Sequence, residues 1–447
     1  MAFLAVLLAS GMILADARAG TAWIDTVPWL YAARPGGART LLAAIGGSMI
    51  TVAGTVFSVT IAAVVYASGQ YGPRLLTNFM QDRGNQVTLG TFIATFLYCL
   101  LVLRTIRSAD EANSFSFVPN MALMVAVVLA VCSIAVLIFF IHHVPSKIHI
   151  NSVIKDIGTR LLREIDRRFP SDENRAAPAN NTSSDQTISA STRRELQASE
   201  VANGCPILAT ETGYIQTVDD DAITDAAHKH DLLLRLHYQP GDFVHAGRMI
   251  AEAWPPERCD KHATRAVGAA FTVGDARSTL QDLRFPIDEL VEIAARALSR
   301  GVNDPFTALS CIDWLSAALS DIGARTLPPP SLFDDNQTVR VIVQPQTFAG
   351  FIDRSFGALA QYCATDMIAA LRFLSALGEV SLACTDPMRL ATLTTYANRL
   401  ESLAAEVLTG FNLARVRERA DELRHALADP DHQRRLRVST AWLGSHA

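Results

Sequence analysis

An α-helical transmembrane bundle followed by a cytoplasmic α+β region, the latter a small β-barrel-like unit plus a helical bundle, is the fold class this sequence predicts. Three observations predict it. Hydrophobic residues make up 50% of the 447, and mean hydropathy is +0.21. Long uncharged stretches precede residue 142, and most of the charge follows it. Beyond residue 200, short alternating apolar runs give way to helical periodicity.

Composition also removes some functions. A net charge of -5 and the lack of a dense Lys/Arg tract exclude a general nucleic-acid binder. Cys99 and Cys132 fall in apolar stretches, and Cys205, Cys259, Cys311, Cys363 and Cys384 are scattered. Such a set makes neither a disulfide framework nor CxxC zinc spacing, and fits a reducing compartment for the C-terminal part. P-loop, GxGxxG, HExxH and GxSxG motifs are missing, so no cofactor, metal centre or catalytic residue is predicted.

The transmembrane region covers residues 1–144, with spans at about 1–15, 41–68, 87–103 and 121–141. Met1–Ala15 is apolar but short for a full crossing, a retained short or truncated first span. Leu41–Ser68 carries no charge. As a helix it is roughly 42 Å long against a hydrocarbon core of about 30 Å, so it tilts or emerges. Val87–Leu103 is closed by Arg104 and Arg107, and Met121–Ile141 has the length of one crossing. Backbone groups in lipid must be satisfied internally, which makes each of these a helix. With Asp16–Thr40 and Arg104–Phe117 outside, Lys147, Lys155, Arg160, Arg163, Arg167 and Arg168 flank the inner end of the last span. That excess of cations predicts a cytoplasmic C-terminal region.

Residues 145–169 predict an amphipathic juxtamembrane helix, because Ile150, Ile154, Ile157, Leu161 and Ile165 recur at helical steps. Residues 170–200 are polar and rich in Ser, Asn, Ala and Asp, the composition of a flexible linker. Residues 201–284 predict a small β-rich domain: "GYIQTVD" and "LLLRLHY" read as strands, with Pro240-Gly241-Asp242 as a turn. Residues 285–428 predict a helical domain. Its first helix carries Asp288, Glu289 and Glu292 early and Arg296 and Arg300 late, in keeping with the helix dipole. Gly301 can close that helix, while Asp304 caps the next with Pro305 at its first position. Helices follow over Leu359–Leu377 and Pro387–Phe411, and residues 429–447 form a polar tail.

Candidate site residues form three groups. Ser48, Thr51, Thr55 and Ser58 share one helical face within the long span, with Gly47 and Gly54 beside it. Such a face either packs closely on another helix or lines a pore among several copies. Gly69, Gln70, Tyr71, Gly72, Pro73 and Arg74 predict an interfacial elbow after the span. Arg300, Asn303, Asp304 and Pro305 crowd one turn, a structural joint or a partner site. His142, His143 and His149 read as amphipathic side chains at the membrane surface.

The turn-and-strand "QPGDFVHAGRMIAEAW" resembles a short piece of biotinyl/lipoyl-type barrels, although Lys261 does not sit where the modified lysine of such carriers does. More broadly, the stretch "GARTLLAAIGGSMITVAGTVFSVTIAAVVYASGQYGPRLLTNFMQDRGNQVTLGTFIATFLYCLLVLRTIR" together with "RALSRGVNDPFTALSCIDWL" resembles a bacterial family of predicted membrane proteins, domain of unknown function 2254. The resemblance implies an inner-membrane protein with a few spans and a large soluble C-terminal region. It implies no reaction and no catalytic residue.

Two functions of different class fit these readings. One is an oligomeric channel or transport-like protein in which the Ser48–Ser58 face borders a pathway and the cytoplasmic region regulates it. The other is a membrane-anchored sensor or assembly scaffold whose cytoplasmic domain binds a ligand or partner. The expected partners are membrane lipid, further copies of the chain and an unidentified ligand or protein, with no nucleic acid.

Overall fold

The structure, a computed structural model, describes residues 1–19, 34–71, 83–107, 117–169 and 204–436, with Ser439 and Trp442. The expected linker at 170–200 lies outside them. The chain divides into two units, Met1–Val153 and Ile154–Ala447.

The first unit contains helices α1 (Ala2–Ala19), α2 (Pro35–Tyr71), α3 (Arg83–Leu103) and α4 (Asn120–Ile148). Among the described residues three stretches are long and apolar enough to cross a membrane, Pro35–Tyr66, Arg83–Leu103 and Asn120–His143; α1 is not among them. Packing is close where side chains are small. A methyl group at Gly46 of α2 would meet Cys99 Cβ of α3 at 3.5 Å. The two apolar clusters of this unit gather around Leu42, Tyr98 and Ala122, and around Met49, Ala53 and Phe92. Three buried side chains close their polar groups within the bundle, which an apolar surround favours, whereas the buried Thr60 hydroxyl has no hydrogen-bond partner among the described residues. Thr95 and Ser133 hydroxyls bond each other at 3.0 Å, and Tyr98 Oη donates to Ala122 O at 2.9 Å.

One end of this unit is tied by charge. Asp16, buried at the end of α1, accepts from Met121 N and Ala122 N at 2.9 Å each, which satisfies two free N–H groups in the first turn of α4. Arg39 Nη2 donates to Ile106 O at 2.9 Å, and Arg107 and Phe117 exchange backbone bonds. The end of α1, the start of α2, the end of α3 and the start of α4 therefore share one side.

The second unit includes most of α5 (Ile150–Arg168), whose Ile154, Ile157, Gly158, Leu161 and Ile165 are buried. Gly158 lies against the Trp314 ring so closely that a methyl group there would overlap it. Strands β1 (Cys205–Leu208), β2 (Gly213–Val218), β3 (Leu233–Leu236), β4 (Phe243–Val244), β5 (Met249–Trp254) and β6 (Phe271–Gly274) come with two helices, α6 (Asp220–Lys229) and α7 (Lys261–Ala269). Asp219 and Asp260 cap those helices by accepting from Ala222 N at 2.9 Å and Ala263 N at 2.7 Å.

Helices α8 (Arg284–Ala297) and α9 (Pro305–Ala324) lead to a hairpin, β7 (Ser331–Phe333) and β8 (Val339–Ile342). The strands fall into two sheets, ordered β1-β5-β3-β8-β7 and β4-β2-β6, over one shared core that includes Ile215, Leu234, Val244, Ala251 and Val341. The segment 285–428, read from sequence as a mostly helical domain, thus also supplies two strands. β8 runs parallel to β3, with Leu234 opposite Val341, a pairing between distant residues that no local periodicity encodes.

The remaining helices are α10 (Phe348–Ile352), a π-helical turn at Asp353–Gly357, α11 (Ala358–Cys363), α12 (Met367–Ser381), α13 (Pro387–Val407), α14 (Gly410–Ala428) and α15 (Pro430–Leu436). The expected single helix over Leu359–Leu377 is broken after Cys363, where Asp366 accepts from Ala369 N at 2.9 Å and starts α12. The expected helix over Pro387–Phe411 ends at Val407, and Gly410, at φ +57°, opens the next. The tail read as polar is partly docked. Trp442 is buried against Gly378, with the Arg419 guanidinium 4.5 Å from its ring centroid.

The loop from Arg277 to Arg284 joins these parts. Asp282, with no exposed side-chain surface, accepts from Arg277 Nε at 2.9 Å and Nη2 at 2.5 Å, and from Arg284 N at 3.0 Å. Arg284 continues to Pro240 O at 2.6 Å and Asp242 at 2.9 Å; Arg277 reaches Asp288 at 2.6 Å, which also holds Arg354 of the π-helical turn at 2.6 Å. Gly241 sits over Asp282 at φ +93°, where a Cβ would collide with the carboxylate. Removing the carboxylate by Asp282→Ala takes one of two carboxylate partners from each of two half-buried guanidinium groups and leaves Arg284 N without its acceptor, and is expected to cost about 2–3 kcal/mol. Gly241→Ala, forced into both strain and collision, should cost at least about 2 kcal/mol. Thermal unfolding of the full chain in detergent, read by tryptophan fluorescence, measures both.

Candidate functional site

The hydroxyl face of α2 is turned out of the chain's own bundle. Ser48, Thr51, Thr55 and Ser58 are all exposed, while Leu42, Met49 and Ala53, on roughly the opposite side at 3.6 residues per turn, are buried. Three of the hydroxyls donate to their own helix: Ser48 Oγ to Ile45 O at 2.9 Å, Thr51 Oγ1 to Gly47 O at 2.8 Å and Thr55 Oγ1 to Thr51 O at 3.0 Å. With the proton engaged by the backbone, each oxygen faces outward as an acceptor. Gly47 and Gly54 lie beside the stripe, and a methyl at either would meet nothing within 4 Å. Among the described residues, then, no other helix packs on this face.

The expected elbow falls only in part within the described residues. Gly69, Gln70 and Tyr71 are still helical, as the last residues of α2, so the chain does not bend at Gly69. Gly72, Pro73 and Arg74 lie outside the described residues.

At the joint between α8 and α9, Asp304 accepts from Thr307 N at 3.2 Å and from Thr307 Oγ1 at 2.6 Å, and Pro305 takes the first helical position. The left-handed residue is Asn303 at φ +51°, not Gly301, since asparagine tolerates that region. Arg300 and Asn303 are exposed on the turn beside exposed Val302 and Phe306. The structure brings these four residues together as a helix start.

The sequence reading missed an ionic cluster on the hairpin. Asp334, buried, accepts from Arg340 Nε at 2.9 Å, from Thr338 N at 2.9 Å and from Asn336 N at 3.0 Å, and lies 2.9 Å from His228 Nδ1 on α6. Arg340 also bonds Asp231 at 2.8 Å, and Asp231 pairs with Arg258. The Arg340 guanidinium, with the Thr338 N–H and His228 after it, holds the Asp334 carboxyl well below the usual carboxylate range. Its members come from segments far apart in sequence, so only the spacing of Asp334 and Arg340 across the hairpin turn could have signalled it.

The thiols of Cys311 and Cys363 are buried, and burial raises their pKa well above the ordinary value, which leaves them protonated. Among the described residues no group of His, Cys, Asp and Glu is arranged to hold a metal. Lys261, the lysine weighed against carrier-type barrels, is the first residue of a helix and not the tip of a hairpin.

Among the described residues of the second unit, clefts include the following two. One of about 290 Å³ lies between the 239–240 and 281–284 segments and the 345–354 segment; its Arg284 and Arg354 are already paired with aspartates. The other, about 600 Å³, opens between the two sheets under α7.

Comparison with known proteins bears on the whole chain. A family described as a predicted membrane protein, domain of unknown function 2254, matches residues 1–379. The chain belongs to this family. Uncharacterized proteins of Mycobacterium bovis and Mycobacterium tuberculosis are each 31% identical over 399 residues, covering 86% of this chain and 71% of theirs. No solved structure matches. The family resemblance read from the two sequence stretches is thus shown, and with it a bacterial predicted membrane protein; neither the family nor these relatives carry a reaction or a site.

An aspartate in an unfolded chain titrates at about 3.9. Because the folded value of Asp334 is lower, its stabilisation is complete above that pH and is lost as pH falls below it. Asp334→Asn is therefore expected to lower stability at neutral pH and to flatten its decline below about pH 4. Unfolding midpoints measured from pH 7 to pH 3 test this; parallel curves for the two proteins would refute it.

Proposed function

We propose that the protein is the protomer of a homo-oligomeric channel or transport-like protein of the bacterial inner membrane, with its α+β region in the cytoplasm as the regulatory part. The single observation that carries this reading is the outward hydroxyl face of α2. One copy's interior is apolar around Leu42, Met49, Ala53 and Phe92, and its buried hydroxyls Thr95 and Ser133 are closed on each other. A polar path therefore runs between copies, not through one. The open space at Gly47 and Gly54 admits a neighbouring helix at close range, and the outward oxygens of Ser48, Thr51 and Thr55 offer acceptors to water or a cation.

Orientation has support of its own. The Asp16, Arg39 and Arg107 contacts put the ends flanking the 16–40 and 104–117 connections on one side of the first unit, as the assignment of both to the outside requires. The cations that follow α4 then face the cytoplasm.

Single cysteines at positions 48, 51, 55 and 58, compared with 49 and 53, test the reading in liposomes. Water-soluble thiol reagents are expected to label the first set at least tenfold faster, and the protein to run as an oligomer by mass and to pass ions or small solutes. A monomer with uniform protection and no flux under voltage, tension or pH change overturns the proposal.

A further inference from the structure

The cysteines of this chain differ in what they can reach. Cys99, Cys311, Cys363 and Cys384 are buried, and Cys132 is exposed on α4, within a stretch apolar enough to cross a membrane. Cys205 and Cys259 are the partly exposed ones, and both belong to the second unit. They also stand together.

The fold brings them side by side across 54 positions of chain. Cys205 opens β1, an edge of the five-stranded sheet, opposite Ala253 of β5. Just past β5 a 3-10 turn at Pro256–Arg258 brings the chain round, closed by Cys259 N donating to Pro256 O at 3.2 Å. Cys205 Sγ donates to Cys259 O at 3.8 Å, and the two thiols hydrogen-bond each other. Cys259 Sγ lies 3.7 Å from Thr264 Oγ1 of α7. Both side chains pack on the rim of the core shared by the two sheets, which holds the sulfurs near each other while leaving each a solvent-facing side.

A metal would need at least a third ligand here, and among the described residues no His, Cys, Asp or Glu completes such a group. Sulfur–sulfur chemistry needs only the pair.

From these observations we infer that Cys205 and Cys259 are a reversible dithiol–disulfide pair, oxidised by a hydroperoxide, whose bond clasps edge strand β1 to the start of α7. Cys259 reacts first: its thiol takes one peroxide oxygen to become a sulfenic acid, and a water leaves. The Cys205 sulfur then attacks the sulfenic sulfur. The S–S bond forms, and the Cys205 proton leaves with the sulfenic hydroxyl as a second water. The thiol pair is oxidised by two electrons, and the peroxide is reduced to water. Burial and the neighbouring thiol push the Cys205 pKa up to about 11, which keeps this sulfur protonated until Cys259 has reacted. In a reducing compartment the pair rests as thiols, and disulfides there are of this transient, redox-sensing kind. Once formed, the bond closes the chain from 205 to 259 into a loop, which restricts the unfolded chain and so stabilises the fold. None of this depends on the α2 face.

The full chain in detergent, reduced and then exposed to a small excess of hydrogen peroxide, tests the inference. Peptide mapping after alkylation in denaturant is expected to find a 205–259 link within one chain and the other cysteines alkylated. The unfolding midpoint should rise by at least about 3 °C and return on addition of glutathione. These readouts need no variant. Cys205→Ser should leave a sulfenic acid on Cys259 that dimedone captures, and Cys259→Ser should show neither link nor shift. Recovery of both cysteines as free thiols, a link between copies, or a link through Cys311, Cys363 or Cys384 overturns the proposal. So does a 205–259 link that lowers the midpoint.

Discussion

A single buried carboxylate organises the second unit. Asp282 has no water to solvate it, so its charge is stable only while Arg277 and Arg284 face it with good geometry. Each guanidinium then has donors left over, and they set the rest of the arrangement. Arg284 fixes the 240–242 turn of the sheet region, and Arg277 orders Asp288 on α8. Asp288 in turn holds Arg354, the second residue of the π-helical turn. A buried ion pair is no efficient source of stability compared with apolar packing. Its value here is geometric, because it admits one relative placement of sheets, α8 and π-helical turn.

The same loop receives α5. Arg168 Nη2 donates to Leu280 O at 2.7 Å, and its other terminal nitrogen to Gln281 O. Gln281 uses its side-chain amide as a strand would, accepting from Val218 N at 2.7 Å and donating to Val218 O at 2.9 Å. Arg160 on α5 pairs with the buried Glu289 of α8. The helix that leaves the membrane-spanning part is therefore bonded to the end of β2 and to α8 through a few polar contacts. The loop thus touches sheet, helix and π-helical turn at once.

Much of this was legible in the sequence where the physics is local. Apolar length marks α2, α3 and α4, because a bilayer imposes a minimum crossing that composition alone can register. Asp304-Pro305 announced a helix start because capping uses only neighbouring atoms. Pairing over long separations was not legible. β8 lies beside β3 from more than a hundred positions away, and Asp282, an unremarkable acid in a loop, becomes the hub only when Gly241 and Arg284 meet it.

The α2 face shows a subtler limit. Periodicity established that Ser48, Thr51, Thr55 and Ser58 share a side, and a hydroxyl stripe inside an apolar helix suggested either close packing on another helix or the lining of a pore among copies. In the chain itself the opposite side is buried, because Gly46, with no side chain, lets α3 approach within contact of Cys99 and Phe96. Turning the hydroxyls outward costs little, since bonds to Ile45, Gly47 and Thr51 carbonyls already satisfy three of their protons. Those internal bonds make the face tolerable in lipid and, at the same time, leave a row of oxygens that only accept. A second copy can cover such a face by close backbone approach, but it offers few donors of its own from the same stripe. Identical acceptor faces brought together would need a donor or a cation between them, and the proposed path between copies rests on that requirement.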